Sequence, residues 1–182
     1  RVGFVPILRQ FDGVGLPVHH FLARGMIPGL GTDGPMVSDS QNVFELMRQT
    51  ILAQNLAVLR EQRDGQPLPD ANLWATSETV IEMASLGSAR TLFMDEVTGS
   101  IVVGKAADCV IADLNRATLR PTQQDRRTLG VLVWAGAADA VRACMTVASA
   151  AALRCDARGS SVCVCVCECV CVSVCVCVRA RA

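Results

Sequence analysis

The chain has 182 residues, 51% of them apolar, with 17 basic and 17 acidic side chains and two histidines. That length and apolar content suffice for one ordinary domain with a sizeable core. Balanced charge without a basic run removes the electrostatic case for a nucleic-acid polymer or an anionic membrane as partner.

The first residue is Arg1, and no charged segment with a short apolar stretch behind it follows. The amino terminus is therefore read as truncated, with any targeting signal unseen. Of ten cysteines only Cys109, Cys144 and Cys155 lie outside positions 163 to 177. A disulfide framework spreads its cysteines to cross-link distant parts of a small fold, so nothing here indicates an oxidising compartment, and a cytoplasmic location is expected.

In chain order, residues 2 to 8 form an apolar run that reads as a short buried strand ended by Pro6. Leu16 to Arg24 reads as a short helix with Gly25 as its stop. It carries His19 and His20, the chain's whole histidine content. Neighbouring helix residues point about 100° apart, so the pair is not expected to converge on one ion, and both are read as structural or solvent-facing.

Met26, Ile27 and Pro28 then lead into Gly29-Leu30-Gly31-Thr32-Asp33-Gly34-Pro35, which places Asp33 where a strand gives way to a loop. Carboxylates at the carboxyl ends of parallel strands are where α/β folds put their chemistry. Gly29, Gly31 and Gly34 leave room for a tight turn or the close approach of a ligand. On turn chemistry alone, an Asp before a Gly is more often a plain turn residue.

From Ser40 the pattern is helical, with Phe44, Met47, Ile51, Leu52, Leu56 and Leu59 as a core stripe, Asp39 or Ser40 as cap, and Gly65, Pro67 and Pro69 as the end. Residues 65 to 70 read as a surface loop. A second helix starts after Thr76, with Glu78 near its positive end and Val80, Ala84 and Gly87 on one face. After Asp95 the period becomes extended: Ile101 to Val103 reads as a strand, Gly104-Lys105 as a turn, and Cys109 to Leu114 as a second strand. Lys105 lacks the spacing of a phosphate loop and is read as structural. Cys109 is read as a small buried apolar residue. Leu129 to Trp134 and Ala140 to Val147 are read as further strands.

Residues 161 to 182 are of low complexity. Val-Cys alternation puts Cys163, Cys165, Cys167, Cys169 and Cys171 on one strand face, which admits a soft-metal thiolate cluster. The run also approaches the length of a membrane span, with Glu168 against that reading, and is an aggregation hazard. A GT dinucleotide repeat read in triplets gives the same alternation, with Glu168 and Ser173 each one base change away. The preferred reading is a translated simple repeat, disordered or artefactual.

Two blocks resemble a known family. Gly13 to Leu30 followed by Gly31-Thr32-Asp33-Gly34-Pro35, and Glu96-Val97-Thr98-Gly99-Ser100-Ile101-Val102-Val103-Gly104-Lys105-Ala106-Ala107-Asp108 downstream, are similar to the carboxyl-terminal part of metal-dependent amidohydrolases of the cytosine, S-adenosylhomocysteine and chloro-triazine branch. The resemblance covers roughly residues 6 to 145 and decays after about Val141. It implies an α/β fold: the last two strands of a (β/α)8 barrel with their helices over residues 1–95, part of a small β-sandwich over 96–150, and the low-complexity tail over 151–182. A complete barrel takes about 250 residues, more than this chain has. The run Gly87-Ser88-Ala89-Arg90 has a structural role in the family, and His19 and His20 match a crossover helix before strand eight, not a ligand position.

The resemblance also implies hydrolysis of a non-peptide carbon-nitrogen bond, by deamination of an aminated heterocycle or nucleoside-like small molecule. A divalent metal, zinc or iron, lowers the pKa of a bound water. Asp33 matches the strand-eight aspartate that touches the metal or its water and acts as general base. The family's other ligands, a His-x-His pair and two later histidines, have no counterpart here, so the isolated chain is expected to be inactive. Family members are often homo-oligomeric. From another class, the chain reads as a noncatalytic remnant or interaction module that needs a partner over its exposed sheet edges.

Overall fold

The computed structural model describes residues 3–4, 17–32, 41–114, 116–120, 127–136, 140–145, 161–166 and 174–177. Two short strands, β1 (Gly3–Phe4) and β2 (Gly29–Leu30), run parallel with Gly3 opposite Gly29 and Phe4 opposite Leu30. Parallel neighbours need a crossover, and helix α1 (Val18–Leu22) lies on it. Gly25 ends that helix with a φ of +66°, the left-handed conformation that glycine adopts without penalty.

Helix α2 (Val43–Arg63) follows β2. Its cap is Asn42, whose side chain accepts the Phe44 amide at 3.1 Å; Asp39 and Ser40, the expected caps, lie outside the described residues. The expected core stripe holds only in its first half. Phe44, Met47 and Ile51 are buried, whereas Leu52, Leu56 and Leu59 are exposed. The buried face continues instead through Ala53, Gln54, Ala57 and Val58, small or polar residues that let the neighbouring segments approach closely. Gln54 accepts the Ala75 amide at 3.1 Å and so fastens the chain beyond the surface loop to α2.

Thr76 caps the next helix as expected, accepting from the Thr79 amide. Helix α3 (Ser77–Glu82) passes through a wider π-helical turn (Met83–Gly87) into α4 (Ser88–Thr91). This stretch lies against β2: a Cβ on Gly29 would come within 2.8 Å of the Ser88 Cα, and one on Gly87 within 2.7 Å of the Pro28 carbonyl oxygen. The structural role expected for residues 87–90 thus has a physical content, a glycine-to-backbone contact between helix and strand.

A four-stranded antiparallel sheet has the order β4-β3-β5-β6. Its strands are β3 (Cys109–Asp113), β4 (Val141–Met145), β5 (Ser161–Val166) and β6 (Val174–Cys177). Cys109 is buried, as expected for a small apolar residue in a strand. Two pieces of the Val-Cys alternation are thus strands, with β5 paired to β3 and β6 to β5.

Two strand expectations are corrected. Residues Leu129 to Trp134 belong to a helix, α5 (Arg127–Ala135), whose buried Thr128, Leu132 and Val133 recur at helical steps. The branched residues of that run made it look extended, but packing of its buried side against α2 and α3 overrides β-propensity. Arg48 of α2 donates to the Trp134 carbonyl at 3.0 Å, satisfying a carbonyl at the α5 terminus. Ile101 to Val103 is an exposed turn, not a strand: Gly99 and Gly104 flank it at φ +86° and +97°. Lys105 holds this loop from within, donating to the carbonyl of Asp95 and to the Ser100 hydroxyl at 2.8 Å, which agrees with its structural reading.

One buried cluster joins these parts, with Leu30 from the parallel pair, Val18 from its crossover helix, Met47, Val80 and Met83 from the later helices, and Val110, Leu119 and Leu132 from the elements after them. No helix among the described residues is long and apolar enough to cross a membrane.

Candidate functional site

At the carboxyl end of β2 stands Thr32, buried, whose hydroxyl donates to the Gln41 side-chain oxygen at 2.9 Å. Gln41 immediately precedes the Asn42 cap of α2. The hydrogen bond therefore joins the two described flanks of the segment 33–40, where strand passes to helix. Asp33, the expected catalytic and metal-binding residue, and the glycine of the following turn lie outside the described residues. β2 itself is held from its far side by Ser88, whose hydroxyl accepts the Leu30 amide at 3.0 Å and donates toward the Leu30 carbonyl at 3.1 Å.

A second group of functional side chains forms at the opposite end of α2. Glu61 sits in its last turns and receives both histidines of α1: His19 Nε2 lies 2.8 Å from Oε2, and His20 Nε2 lies 2.9 Å from Oε1. The expected divergence of the adjacent histidines is thus corrected. Their rings are 4.2 Å apart and tilted by 36°, because the two carboxylate oxygens offer each ring its own acceptor. His19 is buried, His20 is half exposed, and Glu61 is partly buried. Burial pushes the Glu61 carboxyl up, but hydrogen bonds from His20 and His19, with the charge on the two rings, outweigh it and hold the carboxyl below its ordinary value.

Sequence reading did not single out Glu61. It stands 42 residues from His19, and no local spacing connects them.

A parallel strand pair with a helical crossover, helices packed on it, and a polar residue beyond the strand's carboxyl end is a unit of the α/β class, the class to which (β/α)8 barrels belong. The amidohydrolase family profile matches residues 16–160, and the chain belongs to that family. The match runs beyond Val141, where the recognisable motif ends.

Among curated relatives, the chain is 38% identical over 105 residues to a 5-methylthioadenosine/S-adenosylhomocysteine deaminase of Desulfovibrio desulfuricans, covering 58% of this chain and 21% of that protein. It is 30% identical over 130 residues to an S-triazine hydrolase of Gordonia rubripertincta, covering 71% of this chain and 25% of that protein. The chain thus spans about a fifth to a quarter of these relatives. An adenosine deaminase from Xanthomonas campestris, solved with bound zinc, superposes with a TM-score of 0.65 at 22% identity, over 80% of this chain and 30% of that one, which establishes the shared fold.

The residues of this chain do not complete the metal centre that the family implies. Its two histidines are turned to Glu61, about 28 Å along α2 from the Gln41 end by the 1.5 Å rise per residue. A catalytic centre uses about three protein ligands plus water, and two histidines held by Glu61 leave that set unfilled among the described residues.

Proposed function

We propose that residues 1–95 form the last two strand-helix units of an amidohydrolase barrel, that 96–150 form part of a small β-sandwich, and that 151–182 are a low-complexity tail, two pieces of which extend the sheet of β3 and β4. In this reading Asp33 is the general base and last metal contact of a site that hydrolyses carbon-nitrogen bonds, deaminating an aminated heterocycle or nucleoside-like small molecule. The observation that carries it is the parallel pair β1–β2, ending at Thr32 beside Gln41, within a family match over residues 16–160.

Asp33, next after Thr32, accepts a proton from the attacking water, and this requires a carboxylate that is ionised near neutral pH. Zinc or iron and its histidine ligands belong to the larger site, so the 182-residue chain by itself is inactive. A cytoplasmic location and assembly into homo-oligomers accompany this reading.

The test is sequencing of the transcript upstream of the Arg1 codon. An in-frame His-x-His and two later histidines support the reading; a transcript that starts near Arg1 overturns it for this product. In that event the exposed Leu52, Leu56 and Leu59 on α2 favour the noncatalytic reading, an interaction module with an apolar helix face. A soluble, protease-resistant monomer of the 182-residue chain is the result expected of such a module.

A further inference from the structure

The His19–His20–Glu61 group has the composition of a metal site and stands apart from Asp33. Its three ligand atoms, one from each side chain, lie within 4.8 Å of one another. Two imidazole nitrogens and one carboxylate oxygen suit a borderline divalent cation, and zinc takes such ligands at about 2.0–2.2 Å in tetrahedral geometry. Ligand atoms at those bond lengths stand about 3.3 Å apart. The ring nitrogens stand 2.8 and 2.9 Å from the two different oxygens of one carboxylate, so when a cation replaces the ring protons these contacts open while the wider separations within the 4.8 Å group close toward that spacing.

Access and rigidity also fit. His20 has a side chain 52% exposed and gives a cation a path from solvent, while His19, 5% exposed, fixes one ligand in the core. α1 is anchored locally: Arg24 donates to the His20 carbonyl at 2.7 Å, and the Met26 amide to the Phe21 carbonyl at 3.0 Å. Nδ1 of His19 is buried without a hydrogen-bond partner, so that ring is oriented by the Glu61 carboxylate and by its contact with the His20 ring.

We infer that His19, His20 and Glu61 form a second divalent-cation site, of zinc type, that clamps helix α1 to the far end of α2 and leaves one coordination position to water. The site joins residues 42 apart in sequence and does not depend on the role of Asp33.

The chain's histidine content makes the test selective. It has two histidines and ten cysteines, so ring-nitrogen-labelled histidine in the full chain reports on this site alone, whatever zinc the thiols take up. In a zinc titration followed by nuclear magnetic resonance, the Nε2 signals of both rings are expected to move together to a metal-bound position and saturate. Glu61→Gln, at a partly exposed position, is expected to weaken the midpoint at least tenfold, as loss of a direct ligand costs no less than the roughly 10–100-fold of an outer-shell partner. In His20→Ala the His19 signal is expected to lose most of its response. Nε2 signals that zinc leaves unmoved, or an unchanged midpoint in a folded Glu61→Gln chain, overturn the site and leave a hydrogen-bonded pair alone.

Discussion

The hydroxyl of Ser88 serves both backbone polar groups of Leu30, accepting its amide at 3.0 Å and donating toward its carbonyl at 3.1 Å. A helix side chain here takes the part of a neighbouring strand. The single proton of this hydroxyl is shared between the Leu30 carbonyl and the Met83 carbonyl, 2.9 Å away at the π-helical turn that brings Ser88 to the strand. All of these groups are buried, so their loss is not offset by water.

Ser88→Ala therefore strips the Leu30 amide and carbonyl of this partner at once. An unsatisfied buried polar group costs about 1–3 kcal/mol, and the expected destabilisation is about 2–4 kcal/mol for the two together. Urea unfolding of the full chain checks it; a change under about 0.5 kcal/mol, the range of an ordinary surface substitution, contradicts it.

Gly29 and Gly65 separate two reasons for glycine. A Cβ on Gly29 meets the Thr91 Oγ1 at 2.7 Å and the Ser88 Cα at 2.8 Å, whereas Gly65 has open space but a φ of +84°. Gly29→Ala forces strand and helix apart and is expected to cost about 1–3 kcal/mol, as overpacking does. Gly65→Ala is expected to cost about 1–2 kcal/mol from backbone conformation alone. The discriminating measurement is the helix contact: hydrogen exchange at the Leu30 amide accelerates in Gly29→Ala and stays unchanged in Gly65→Ala.

The paired histidines give Glu61 a pH signature. Its folded carboxyl lies below the unfolded value of 4.5, so the deprotonated form is the one the fold favours. The unfolded state then takes up the proton first as pH falls. The stability contribution is fully present above about pH 4.5 and is lost below it, as pH passes through the folded value. Thermal melts of the full chain and of Glu61→Gln are expected to differ at pH 6 and to converge toward pH 3. A difference that grows on acidification contradicts the assignment.

What sequence reading saw and missed divides along the range of the interactions. The stop at Gly25, the cap at Thr76 and the turn at Gly104-Lys105 were legible because each depends on residues within a few positions, and the burial of Cys109 was legible from the apolar strand it sits in. Leu129 to Trp134 misled because a branched run fits strand or helix locally, and its packing against α2 and α3 decides between them. Leu52, Leu56 and Leu59 misled because a long helix drifts, so that Ala53, Ala57 and Val58 present the narrower surface to the core. The histidine-glutamate group was invisible, since its partners meet only through the crossover geometry of α1 and α2.

The central claim is that Asp33 is the catalytic base of an amidohydrolase site that is completed outside this chain. It is tested by fusing the preceding barrel portion of the Desulfovibrio desulfuricans relative to this chain and measuring ammonia release from S-adenosylhomocysteine. The fusion with Asp33 is expected to turn over, and Asp33→Asn to lose roughly 10²–10⁴-fold, the usual contribution of a general base. Equal turnover in the Asp33→Asn fusion, or a folded and metal-loaded fusion that releases no ammonia, contradicts the claim.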